Sequence, residues 1–253
     1  MAVNCLGVAT RSLGLKCAPV FRIASISMNV FSILRDAWFF YSRNLASIAR
    51  LCLPIILLES CTRLAIEHLF GRNAFPAQDL LLGMIFYPLY VGALILFMDA
   101  RSRGHEPPVR AIWARTLPVW PALALLAAMG TLLIMLGASL FVLPGIWVMV
   151  KIAFAEYLLV LRGMAPLTAM KQSFEQTRGH FMPLLGCVLA VLVPLWMLEA
   201  WIAQQFWADE APRGASAVLV DSAVGMVQLL ATVVLFRCFM LCSPAATRVD
   251  DNG

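Results

Sequence analysis

Residues 116–150 read TLPVWPALALLAAMGTLLIMLGASLFVLPGIWVMV, thirty-five positions in a row without a charged side chain. As one α-helix this run would be about 52 Å long at about 1.5 Å per residue. A bilayer's hydrocarbon core is only about 30 Å thick and takes about 20 apolar residues per crossing. The run must therefore fold back on itself. Pro144-Gly145 is the expected break, because proline cannot continue the helical hydrogen-bond ladder and glycine permits a turn. The reading is a helical hairpin within a membrane, with spans over 117–141 and 146–161.

The rest of the chain agrees. Of its 253 residues, 62% are hydrophobic and 13% charged, and the mean hydropathy is +0.85. A soluble domain is about half apolar and about a quarter charged. This composition excludes a disordered chain, a coiled coil or a disulfide scaffold. Charge-poor runs place further spans at 80–98, 181–206 and 217–241. A first span is expected over 45–69, where Leu51-Cys52-Leu53-Pro54-Ile55-Ile56-Leu57-Leu58 is strongly apolar despite Arg50, Glu59, Arg63 and Glu67. The fold class expected is all-α, a polytopic bundle of six transmembrane helices. In domain terms, 1–27 is a basic N-terminal extension, 28–242 the membrane domain and 243–253 a polar tail. The extension reads as disordered or as an artefact of the start site, with Met28 the expected start.

Orientation follows from Lys and Arg in the short connections. With the N-terminus inside, thirteen lie on the inner side and only Arg72 and Arg213 on the outer. The positive-inside rule then puts both termini in the cytoplasm. The net charge of +5 and pI of about 9.0 point to anionic headgroups, not nucleic acid. Three inner segments read as amphipathic helices leading into odd-numbered spans. Their hand-offs, Ser42-Arg43-Asn44-Leu45, Ala114-Arg115-Thr116-Leu117 and Thr177-Arg178-Gly179-His180-Phe181, look alike. They suggest a threefold repeat with Arg43, Arg115 and Arg178 in equivalent places, touching headgroups. Unequal spacing leaves coincidence as the competing reading.

No catalytic constellation emerges. His68, His105 and His180 belong to separate segments, and His105-Glu106 runs into Pro107-Pro108, so it is no zinc-binding HExxH helix. The seven cysteines form no CxxC pair, and neither a metal site nor a cofactor is expected. The informative residues are ionisable groups at membrane depth, which are functional candidates by default. These are Glu59, Arg63, Lys151, Glu156, Glu199 and Asp221. One reading pairs them internally, Glu59 with Arg63, and Lys151 with Glu199 or Asp221. A second has Glu59, Arg63, Lys151, Glu199 and Asp221 line a polar cavity open to the outer leaflet, holding a zwitterionic headgroup. A third centres a proton relay on Glu156.

Two stretches carry a family resemblance. One runs from Met28 to Leu58, with Ser32-Ile33-Leu34-Arg35-Asp36, Phe39-Phe40 and Arg43-Asn44. The other is Leu143-Pro144-Gly145-Ile146-Trp147, Lys151, and then Pro166, Ala169, Lys171, Ser173, Thr177, Arg178 and Gly179. Together they resemble the YciC-type family of uncharacterised bacterial inner-membrane proteins. The second is also similar to membrane domains attached to some glycerophosphodiester phosphodiesterases. The resemblance implies a multi-pass inner-membrane protein and no particular reaction. The function expected is lipid association or support of membrane integrity without catalytic turnover, with phospholipids as partners. The alternative is a permease for a lipid or small amphiphile.

Overall fold

The computed structural model describes residues 30–70, 78–206 and 215–242; the expected extension over 1–27 and the tail lie outside them. All regular structure among the described residues is helical. The eight helices are α1 (Val30–Phe70), α2 (Gln78–Ser102), α3 (Val109–Leu140), α4 (Val142–Ile152), α5 (Ala155–Arg162), α6 (Pro166–Gln176), α7 (Phe181–Phe206) and α8 (Ala215–Cys242). Among the described residues six stretches are long and apolar enough to cross a membrane: α1, α2, α3, the pair α4–α5, α7 and α8. The protein is a multi-pass membrane protein.

The hairpin turns at Phe141, not at Pro144-Gly145. Phe141 alone is extended, with φ −161° and ψ 155°. Pro144 falls in the first turn of α4, where its missing N–H has no intrahelical partner to lose. Gly145 serves close approach. A Cβ there would sit 3.0 Å from the backbone nitrogen and Cβ of Ala138, and one at Gly137 would sit 3.1 Å from Gly145. Backbone cannot yield as a flexible side chain can. Gly145→Ala should therefore part α3 from α4 and cost about 1–3 kcal/mol, the usual range for overpacking. Thermal unfolding in detergent would show it. Gly83→Ala, with nothing within 4 Å, should be neutral or slightly stabilising.

Two further boundaries differ from expectation. The first span does not start at residue 45: α1 is a single helix of 41 residues, about 61 Å at about 1.5 Å per residue. Ser42-Arg43-Asn44-Leu45 lies inside it. Ala114-Arg115-Thr116-Leu117 likewise lies within α3, whereas Thr177–His180 forms a break between α6 and α7. The first two hand-offs share a form and the third does not, so the threefold repeat fails at its last copy. The fourth span is broken at Ala153-Phe154 into α4 and α5.

That break positions the core. In α5 and just before it, Phe154, Ala155, Tyr157, Leu158 and Leu159 are all essentially inaccessible. Tyr157 stacks on Phe239 at 5.5 Å between ring centroids, and its hydroxyl donates to the Thr232 carbonyl of α8 at 2.8 Å. The short helix read as part of a plain span thus lies at the heart of the bundle, touching α2, α3 and α6. Around it α1 packs on α2 and α8, and α3 on α2 and α4. Phe141, Val142 and Leu143 at the hairpin tip are strongly exposed, as suits side chains that face lipid.

Candidate functional site

Among the described residues close packing gives way at a large cavity. Gly83, Ala127, Gly130, Ala153 and Ala231 come from four separate segments, and they line a cavity of about 600 Å³. Protein interiors normally leave few voids larger than a water molecule. Ligand pockets run from about 300 to 1,000 Å³. The cavity lies among α2 to α8, and its lining includes Leu80, Trp196 and Gln228, all exposed at the surface. It therefore opens to the outside of the bundle.

Its walls are mostly apolar, with a few polar groups placed on them. Glu156 enters the lining because the break at Ala153-Phe154 starts α5 there, setting the carboxylate in the helix's first turn. The positive end of a helix dipole favours a negative group at that position. The Tyr87 hydroxyl of α2 donates to the Glu156 carboxylate, 3.0 Å from one oxygen and 3.2 Å from the other. Tyr87 meets Tyr90 edge to face at 5.7 Å. On the far wall, the Gln228 amide of α8 donates to Glu199 of α7 at 2.6 Å. Asp79 stands in the lining as well. Among the described residues no Lys, Arg or His lines the cavity, and none lies within 4.0 Å of Glu156 or Glu199.

The six candidates do not form one cluster. Arg63 is shared by three carboxylates: Glu59 at 3.6 Å, Asp79 at 3.1 Å and Asp221 at 3.9 Å. Glu59 and Asp221 are largely buried there, with side-chain exposures of 14% and 10%. The internal pairing of Glu59 with Arg63 is thus present, joined by two acids from α2 and α8. Asp79 links this knot to the cavity, since it belongs to both.

Lys151 has no carboxylate within 4.0 Å among the described residues, so its expected pairing with Glu199 or Asp221 is absent. It is 8% exposed, and its ammonium lies 5.9 Å from the Trp147 ring and 5.6 Å from the Phe181 ring. Cation–π attraction replaces the ion pair. Trp147 is itself packed against α6, where Phe174 meets it edge to face at 5.8 Å. The outer cavity expected from Glu59, Arg63, Lys151, Glu199 and Asp221 is therefore corrected. Of those five only Glu199 lines the cavity, joined by Glu156, Tyr87, Gln228 and Asp79. Of the three arginines, Arg43 lies over the Phe39 ring at 6.0 Å, while Arg115 and Arg178 are exposed.

Sequence reading missed Tyr87, Gln228 and Asp79. Each is a polar side chain on an otherwise apolar helix, which is the signal that could have raised them. Their partners lie 69, 29 and 16 residues away along the chain, and no spacing rule spans that.

No family model matches the chain, and no solved structure matches it. Curated relatives do. A UPF0259 membrane protein of Yersinia pestis (strain Pestoides F) is 25% identical over 165 residues, covering 62% of this chain and 60% of the relative. A UPF0259 membrane protein of Yersinia pseudotuberculosis serotype O:3 (strain YPIII) matches at the same identity and coverage. The match thus spans about three fifths of these relatives. The chain is distantly similar to an uncharacterised group of bacterial membrane proteins. Their names state membrane residence and no reaction.

Proposed function

We propose that this protein binds a lipid or another amphiphile from the bilayer in the cavity beside α5, without catalytic turnover. The observation that carries the reading is the cavity itself: about 600 Å³ inside the bundle, apolar in its walls, with polar groups at Glu156 and Glu199. Pockets that bind small ligands combine mostly apolar walls with a few polar groups that fix orientation. We further propose the bacterial inner membrane, with both termini in the cytoplasm. That is supported by thirteen basic residues on one side of the spans against two on the other. Arg43, Arg115 and Arg178 then fall on the inner side, where their guanidinium groups suit phospholipid headgroups. Kinship with the YciC-type family is part of the same proposal, supported by the motifs from Leu143 to Gly179.

A permease is the second reading, favoured by one feature. The wall is broken where α4 gives way to α5, and Ala153 at that break lines the cavity. Interrupted helices beside a binding site are a hallmark of transporters.

Native mass spectrometry in mild detergent tests the first reading, with wild type beside Ala231→Phe and Lys151→Ala. Wild type should retain a defined amphiphile. Filling the cavity with Ala231→Phe should abolish retention, and Lys151→Ala, outside the lining, should preserve it. Bulk lipid equal in all three would overturn the proposal.

A further inference from the structure

The charge around the cavity is one-sided. Among the described residues its lining holds Asp79, Glu156 and Glu199 and not one Lys, Arg or His, although the chain as a whole carries a net charge of +5. Asp79 is answered from outside by Arg63 at 3.1 Å. Among the described residues Glu156 and Glu199 are answered only by neutral donors, the Tyr87 hydroxyl and the Gln228 amide. A carboxylate has room for about four hydrogen bonds, and one in an apolar setting is costly unless paired. The tyrosine hydroxyl supplies a single proton to Glu156, shared between its two oxygens. The remaining acceptor capacity is left for whatever fills the space.

The rings complete the pattern. Tyr87, Tyr90, Tyr157 and Trp196 all belong to the lining, and Tyr87 and Tyr90 meet at 79°. The negative faces of aromatic rings attract cations, and such cages recognise quaternary ammonium groups. An anionic headgroup would meet two carboxylates with no counter-charge. A neutral lipid would leave them unanswered.

Resting on the cavity reading above, we infer that the ligand is an organic cation with an apolar body, its positive charge held between Glu156 and the tyrosine rings. Trp196 and Gln228 flank the entrance, and Glu199 draws the cation in.

The probe is radiolabelled tetraphenylphosphonium, a rigid apolar cation. Tetraphenylborate, of matched size and opposite sign, is the competitor. Equilibrium binding to the full chain in neutral maltoside micelles should be saturable for the cation, and tetraphenylborate should not displace it. Glu156→Gln, which keeps the side-chain shape and an acceptor for Tyr87, should weaken binding at least tenfold. Glu199→Gln should weaken it a few-fold, and covers the case in which Glu156→Gln fails to fold. Lys151→Ala should leave it unchanged. Tetraphenylborate binding as well as the cation would overturn the charge assignment while leaving the cavity reading standing. So would unchanged affinity in folded Glu156→Gln. Neither ion binding, with a zwitterionic lipid still retained in native mass spectrometry, would also remove the cation alone. Neither ion binding and no retained lipid would remove both readings.

Discussion

Ser173→Ala should destabilise the bundle by about 2–5 kcal/mol, one of the two largest losses expected from a single substitution. Breaking α4 from α5 leaves two backbone groups without helical partners, the N–H of Phe154 and the carbonyl of Lys151. One hydroxyl serves both. Ser173 Oγ accepts from the Phe154 N–H at 3.1 Å and donates to the Lys151 carbonyl at 2.7 Å. Ser173 and Phe154 are both fully buried, so water cannot take over. Each buried polar group left unsatisfied costs about 1–3 kcal/mol, and the hydrocarbon environment gives no relief. Titration with a denaturing detergent, followed by circular dichroism, would measure the loss. Ser139→Ala is the control. Its hydroxyl is exposed and bonds only to Leu136 in its own turn, so it should be nearly silent. A Ser173→Ala variant as stable as wild type would show that the break has another support.

Arg63→Ala is the second. It removes the one guanidinium that three carboxylates from α1, α2 and α8 share. Removing one partner of a buried ion pair costs about 3–5 kcal/mol because the other charge is left uncompensated. Asp79 is 71% exposed and contributes little, so the expected loss is about 3 kcal/mol, carried by Glu59 and Asp221. Arg63→Lys should recover only part of it, since a single ammonium cannot present the planar fork of donors that reaches three acids. Arg63→Ala combined with Asp221→Asn should be more stable than Arg63→Ala alone, because the orphaned charge is then removed. A strictly additive double mutant would deny the coupling.

The membrane character of the chain was legible because it depends on counting. Charge-poor runs of sufficient length must cross or fold back, whatever their neighbours do, and six such stretches are present among the described residues. Helix ends were less legible. Pro144-Gly145 looked like a turn because both residue types favour turns, yet the structure uses proline as a helix starter and glycine as a contact point. The motif Lys171, Ser173, Thr177, Arg178, Gly179 was visible as a pattern, while its job was not. Ser173 fastens the α4–α5 break, Thr177 Oγ1 donates back to the Ser173 carbonyl at 3.0 Å, and Gly179 takes φ +87° in the turn before α7. Among the candidate residues, Glu59 and Arg63 were paired correctly because they are four apart on one helix. Lys151 was not: Trp147 stands four residues before it on α4 and was open to the same rule, whereas Phe181 comes from α7.

By itself the sequence determined that this is a multi-pass membrane protein and that its spans are helical. Those facts follow from hydropathy and chain length, which are properties of each segment alone. Only the tertiary structure decided that α5 is central, that Arg63 serves three acids, and that Glu156 and Glu199 line one cavity. Those depend on which helices touch. In a bundle whose outer surface is as apolar as its core, burial leaves no mark on the sequence pattern that hydropathy could read.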